Sequence, residues 1–72
     1  MATLTVKQYN DLETAIRKGS RIAIMRRGTE YLVIPERLAL SGRREAIETR
    51  HPATGMQMTI FVDETDSIEF VT

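Results

Sequence analysis

The hydrophobic rhythm of this chain changes once, at Gly19, and that change restricts the fold more than any other feature. Before it, Tyr9, Leu12, Ala15 and Ile16 recur at the spacing of one helix face. After it, apolar residues alternate in short runs separated by turn residues, the pattern of strands. The helical part is well signalled at both ends. Thr5-Val6-Lys7-Gln8 reads as a capping box, with Leu4 and Tyr9 placed to staple over it. Arg17 and Lys18 suit the negative end of a helix dipole, and Gly19 suits the stop. The spacing predicts one helix over residues 6–18, with Asp11, Glu13, Thr14 and Arg17 mostly facing water.

Five strands are expected beyond it, over residues 21–26, 29–40, 43–50, 56–62 and 67–71. The second is long and carries Pro35, which cannot donate to a ladder and so implies an edge, a bend or a bulge. The third is polar, with Ala46 or Ile47 as its clearest inward candidates. The acidic run at 63–66 reads as a short solvated connection. An antiparallel sheet this short exposes two edges unless it curls up. The expected architecture is mostly β with one N-terminal α-helix, the five strands forming a small barrel.

With 72 residues there is room for one domain, spanning 1–72. A chain of this size buries only about 60% of its unfolded surface and has little core to give up to a large cofactor. No block in residues 1–20 resembles a signal peptide, and no apolar run approaches the roughly 18 residues of a membrane span. A soluble, cytoplasmic protein with no membrane partner is expected.

Catalytic chemistry finds few residues to work with. Cysteine is absent, His51 is the one histidine, and none of the three serines stands in a nucleophile-elbow context. A single histidine makes a zinc site improbable, and the acidic run 63–66 lacks the glycine and distal glutamate of a calcium loop. We expect no enzyme activity, no metal and no cofactor.

Charge is balanced overall but unevenly distributed. The ten basic residues all fall in residues 1–50, against six acids; residues 51–72 hold four acids and no Lys or Arg. Overall neutrality argues against a generic nucleic-acid binder, while the asymmetry suits attraction between the two parts of one fold. The arginines Arg26, Arg27, Arg43, Arg44 and Arg50 are the candidates for contact with RNA or single-stranded DNA. Against that, the aromatics Tyr9, Tyr31, Phe61 and Phe70 lie within apolar patterns and are not free to stack bases.

The order of helix, bent strand pair, polar third strand and short turn before the last strand resembles the Sm-like, SH3-type small barrels. The segment YNDLETAIRKGSRIAIMRRGTEYL is similar to the opening of the Rof family of Rho-binding antiterminators. There a similar Tyr-Asp-Asn-Leu-Glu phrase sits on the helix, which Tyr9, Asp11, Leu12 and Glu13 match here. That resemblance implies protein contact through Asp11 and Glu13. The segment VIPERLALSGRREAI and the closing FVDETDSIEFV look like a WYL domain, through Val33, Pro35, Leu38, Gly42 and Arg43. The Trp-Tyr-Leu triad of that family falls on Arg44, Glu45 and Ala46, so its ligand sensing does not carry over. In Sm proteins the loops after strands two and four bind RNA; here they are 41–44, which is basic, and 63–66, which is acidic and would repel it.

The expected function is therefore a non-enzymatic binding or regulatory module with a protein partner. Its candidate surface is Asp11, Glu13, Thr14 and Arg17, or an open edge strand. The alternative is weak RNA or single-stranded DNA binding by the five arginines. Homo-oligomerisation through edge strands is compatible with either.

Overall fold

A computed structural model describes residues 3–70. Helix α1 (Val6–Lys18) is followed by strands β1 (Ile22–Arg26), β2 (Thr29–Ser41), β3 (Arg44–Arg50) and β4 (Gln57–Phe61), a 3-10 turn η1 (Val62–Glu64) and β5 (Ser67–Phe70). The strands form one antiparallel sheet in the order β4-β3-β2-β1-β5, so β4 and β5 are its two edges.

Both ends of α1 follow from local hydrogen bonds. The Thr5 hydroxyl accepts from the Gln8 amide at 3.1 Å, and the Gln8 side chain accepts from the Thr5 amide at 2.9 Å. At the other end Gly19, at φ 67°, lets the Ser20 amide reach Ala15 O and the Gly19 amide reach Ile16 O, which is a Schellman closure. Leu4 is buried and Tyr9 half-buried, both packed with the core that α1 covers through Leu12 and Ala15.

Strand β2 carries the sheet's main bend. Its first part, Thr29 to Val33, pairs with β1, and its second part, Ile34 to Ser41, pairs with β3. The register slips between Pro35 and Arg37, leaving Glu36 as the extra residue of a bulge. Pro35 thus sits just past the point where β2 leaves one partner for the other, with a ladder on one side only, and its missing N–H is tolerated. The bulge turns the two parts of the sheet around a shared core: Ile22, Ile24 and Val33 from one side join Ile47, Ile60 and Val62 from the other, under Leu4, Leu12 and Ala15.

In β3 both inward candidates are buried, Ala46 at 1% and Ile47 at 0% exposure. They point to opposite faces: Ile47 enters the core, and Ala46 lies between its cross-strand partners Ala39 and Phe61. The buried hydroxyls of Thr49 and Thr65 donate to Met58 O and Phe61 O, and no buried side-chain nitrogen or oxygen among the described residues lacks a partner.

Several strand ends differ from the expectation: β1 begins at Ile22 rather than Arg21, and β2 runs on through Ser41. Met56 lies outside β4 in an exposed loop, and Val62 does not extend the strand but opens η1. The Thr65 amide bonds back to Val62 O and its hydroxyl to Phe61 O, curling the chain away from the ladder. Arg43, expected to begin a strand, stands in the turn before β3. Val71 lies outside the described residues.

The β1–β2 loop is two residues long, with Arg27 at φ 51° and Gly28 at φ 78°. Two positive φ values make a type I′ turn, which matches strand twist but favours Asn or Gly at the first position. An arginine there holds a left-handed conformation costing about 1–2 kcal/mol. Arg27→Asn should raise stability by about 1 kcal/mol, or roughly 4–8 °C in Tm for a domain this small. Thermal unfolding by circular dichroism measures it.

Candidate functional site

Helix α1 carries the four helix candidates, but Asp11 and Glu13, two residues apart, do not share a face. Asp11 and Thr14 are half-buried, and Glu13 and Arg17 are exposed. Lys7 Nζ pairs with Asp11 Oδ2 at 3.0 Å one turn away. The Thr14 hydroxyl donates to Asn10 O at 3.0 Å and accepts from Arg17 Nη2 at 3.5 Å. Glu13 stands without an ion-pair partner among the described residues.

Asp11 and Thr14 also line a groove of about 520 Å³ between α1 and β5. Lys7, Ala15 and Lys18 complete its helix side, and Phe70 lies on its strand side. The sequence marks Lys7, Lys18 and Phe70 only as parts of a helix cap, a helix end and a strand, and nothing in it joins them into a site. Their shared place depends on β5 lying beside β1 under the helix, a pairing between the last strand and the first.

The five candidate arginines do not form one surface. Arg26 ends β1 and Arg27 stands in the β1–β2 turn, whereas Arg43 and Arg44 stand at the β2–β3 turn, at the other end of β2 beyond the bulge. Arg26 lies 4.8 Å from the Tyr31 ring centroid and donates to its hydroxyl at 3.2 Å. Arg50 is 3.6 Å from Glu36. Arg27 and Arg43 are exposed turn residues with no ion pair among the described residues.

Arg44 is the most engaged of the five. Its Nε and Nη2 donate to the two carboxylate oxygens of Asp63 at 2.9 and 2.8 Å, and Nη2 also reaches Glu64 at 2.7 Å. Its guanidinium lies 3.8 Å from the Phe61 ring centroid. Hydrogen bonding to Asp63, then to Glu64, raises the already high Arg44 pKa, and the same bond from Arg44 holds Asp63 below its ordinary value. The expectation of a merely solvated acidic connection is therefore corrected. Val62 and Thr65 are buried, and two of the four acids of the C-terminal part clasp a β3 arginine 19 and 20 residues earlier in the chain.

A second tie missed in the sequence joins α1 to β3: the Tyr9 hydroxyl donates to Glu45. Beside it Leu38, Ala39 and Leu40 make a shallow apolar depression, with Leu40 73% exposed. His51 organises its own turn, its Nδ1 accepting from the Ala53 and Thr54 amides at 3.1 and 3.3 Å. All four aromatics are half-buried.

Among the described residues no group of three or more His, Asp or Glu side chains is placed to hold a metal ion, and no helix is long and apolar enough to cross a membrane. No model of a protein family and no curated protein matches the chain.

The carboxylates held by arginines set a pH dependence. Asp63 is held below its ordinary 3.8 by Arg44, and Glu48 below its ordinary 4.5 by a 2.8 Å bond from Arg37. A depressed folded-state pKa means the unfolded chain binds the proton more readily. The stabilisation is therefore complete above the ordinary values and is lost as pH falls through the depressed ones. Urea midpoints should drop as pH is lowered from about 5 to 2. Asp63→Asn should be less stable than the parent at pH 7, with the two curves converging at the acid end.

Proposed function

We propose that this chain is a non-enzymatic protein-interaction module of the Sm-like, SH3-type small-barrel kind. It is a regulator that works in the cytoplasm and, like the Rof family it resembles, contacts a nucleic-acid machine through its helix. The observation that carries this reading is the polar surface of α1 with Asp11, Glu13, Thr14 and Arg17, in which Asp11, Thr14 and Arg17 are held by local bonds and Asp11 and Thr14 border a groove. The strand order, the bent β2 and the short turn between β4 and β5 fit the small-barrel layout.

The pairing of the arginines favours a protein partner over RNA. Arg44, which opens β3 just after the loop where Sm proteins touch RNA, is paired with both Asp63 and Glu64, so its charge is already matched by two carboxylates. Arg26 and Arg44 cover the rings of Tyr31 and Phe61, so those aromatics are already stacked.

Affinity capture from lysate, with the parent and an Asp11→Lys/Glu13→Lys variant as bait, tests the proposal. The variant should lose partners that the parent retains, and identical partner sets would sink the helix-face reading. Shifts at Arg26, Arg27, Arg43, Arg44 and Arg50 on titration with a short oligonucleotide at low salt, weakening steeply as salt is raised, would replace it with nucleic-acid binding.

A further inference from the structure

Strand β5 is the last strand of the sheet, and no described strand pairs with its outer side. An unpaired edge offers backbone donors and acceptors to any extended chain that can align with it. The groove of about 520 Å³ between β5 and α1 reaches that strand at Phe70. Ala15 and Phe70 give it an apolar floor, and Lys7 and Lys18 put two ammonium groups on its helix side against the single carboxylate of Asp11. Asp11 is already paired with Lys7, while Lys18 has no ion-pair partner among the described residues.

A second copy of this chain supplies the wrong chemistry. Two β5 edges laid antiparallel would bring Glu69, and Asp66 just before the strand, close to the same acids of the other copy. The other open edge, β4, reads Gln57-Met58-Thr59-Ile60-Phe61 and offers no carboxylate to Lys7 or Lys18. The groove calls for an extended chain with acidic side chains toward the lysines and a large apolar one toward Phe70.

We propose that the β5 edge and its groove bind an extended segment of a partner protein, adding it as a sixth strand. Acidic and apolar side chains on one face of that segment enter the groove. This rests on the protein-interaction reading above and names the class of partner.

Two peptides, acetyl-TETETFT-amide and acetyl-TKTKTFT-amide, are the probes, read by amide chemical shifts and by hydrogen exchange of the whole chain. Both present an aromatic ring and two charges on one strand face and differ only in the sign of those charges. The acidic peptide should slow exchange at residues 67–70 and shift the amides around Lys7 and Lys18, and the lysine peptide should bind at least fivefold more weakly. Lys18→Glu, which leaves the Lys7–Asp11 pair intact, should shrink that preference, and Lys7→Glu/Lys18→Glu should reverse it. Helix amides in the same exchange data report whether each variant is folded.

Equal affinity for both peptides, or no slowing at 67–70 at saturation, overturns the proposal. So does a free protein that light scattering shows to be oligomeric with those amides already protected, since a second copy then holds the edge. If the peptides fail while Asp11→Lys/Glu13→Lys still changes the captured partners, this site falls and the helix-face reading stands.

Discussion

The structure turns on the point where β2 changes partners. A strand that paired with β1 along one side and β3 along the other over its full length would build a flatter sheet. Here the two ladders occupy successive parts of the strand, and the slip between Pro35 and Arg37 lets the second part swing round. Only then can Ile47 and Ile60 meet Ile22, Ile24 and Val33 in one cluster. For a chain of 72 residues that meeting matters, because so short a chain buries little apolar surface and gains most by pooling it in one cluster. The helix completes the enclosure, with Leu12 and Ala15 buried and its polar flank left beside β5.

Electrostatics acts on the same plan at longer range. The net charge is zero, yet its halves have opposite sign, and part of that imbalance is resolved where Arg44 meets Asp63 and Glu64. A bidentate arginine with a third bond and an aromatic ring beneath it has a defined geometry, unlike a flexible surface pair. It holds η1 against β3 and so helps to position the turn that delivers the chain to β5. The looser Arg50–Glu36 contact, at 3.6 Å, has no such geometry to impose.

The parts legible in the sequence are those that depend on neighbours in the chain. The helix is readable because its cap, its staple and its stop are all local, and the strands because alternation and turn residues are local too. Pro35 announces a bend for the same reason, since the lost donor belongs to the residue itself. Most of what stays hidden depends on distant residues. Arg44 finds its acids 19 and 20 positions away, and Tyr9 finds Glu45 at 36. The turn η1 is local, closed by Thr65 on Val62 and Phe61, but the apolar alternation running on through Val62 masks it. The site divides in the same way. Asp11, Glu13, Thr14 and Arg17 are readable as polar residues of a helix, but Lys7, Lys18 and Phe70 become a groove only once β5 pairs with β1. The five arginines look alike in the sequence, and the fold separates them by what lies within reach.

The groove's shape is tied to the core more closely than its surface position suggests. Ala15 belongs to the buried cluster at 5% exposure, and Phe70 packs against that cluster, yet both also line the groove. Its floor is therefore the outer layer of the core, fixed by the packing that holds α1 on the sheet. A binding surface built this way loses little side-chain freedom when it is filled, so more of the contact energy is kept as affinity. The lysines on its rim are long, hydrated and mobile by comparison. Shape at this groove is set by the fold, and on the proposed reading selectivity is left to charges that can change without disturbing it.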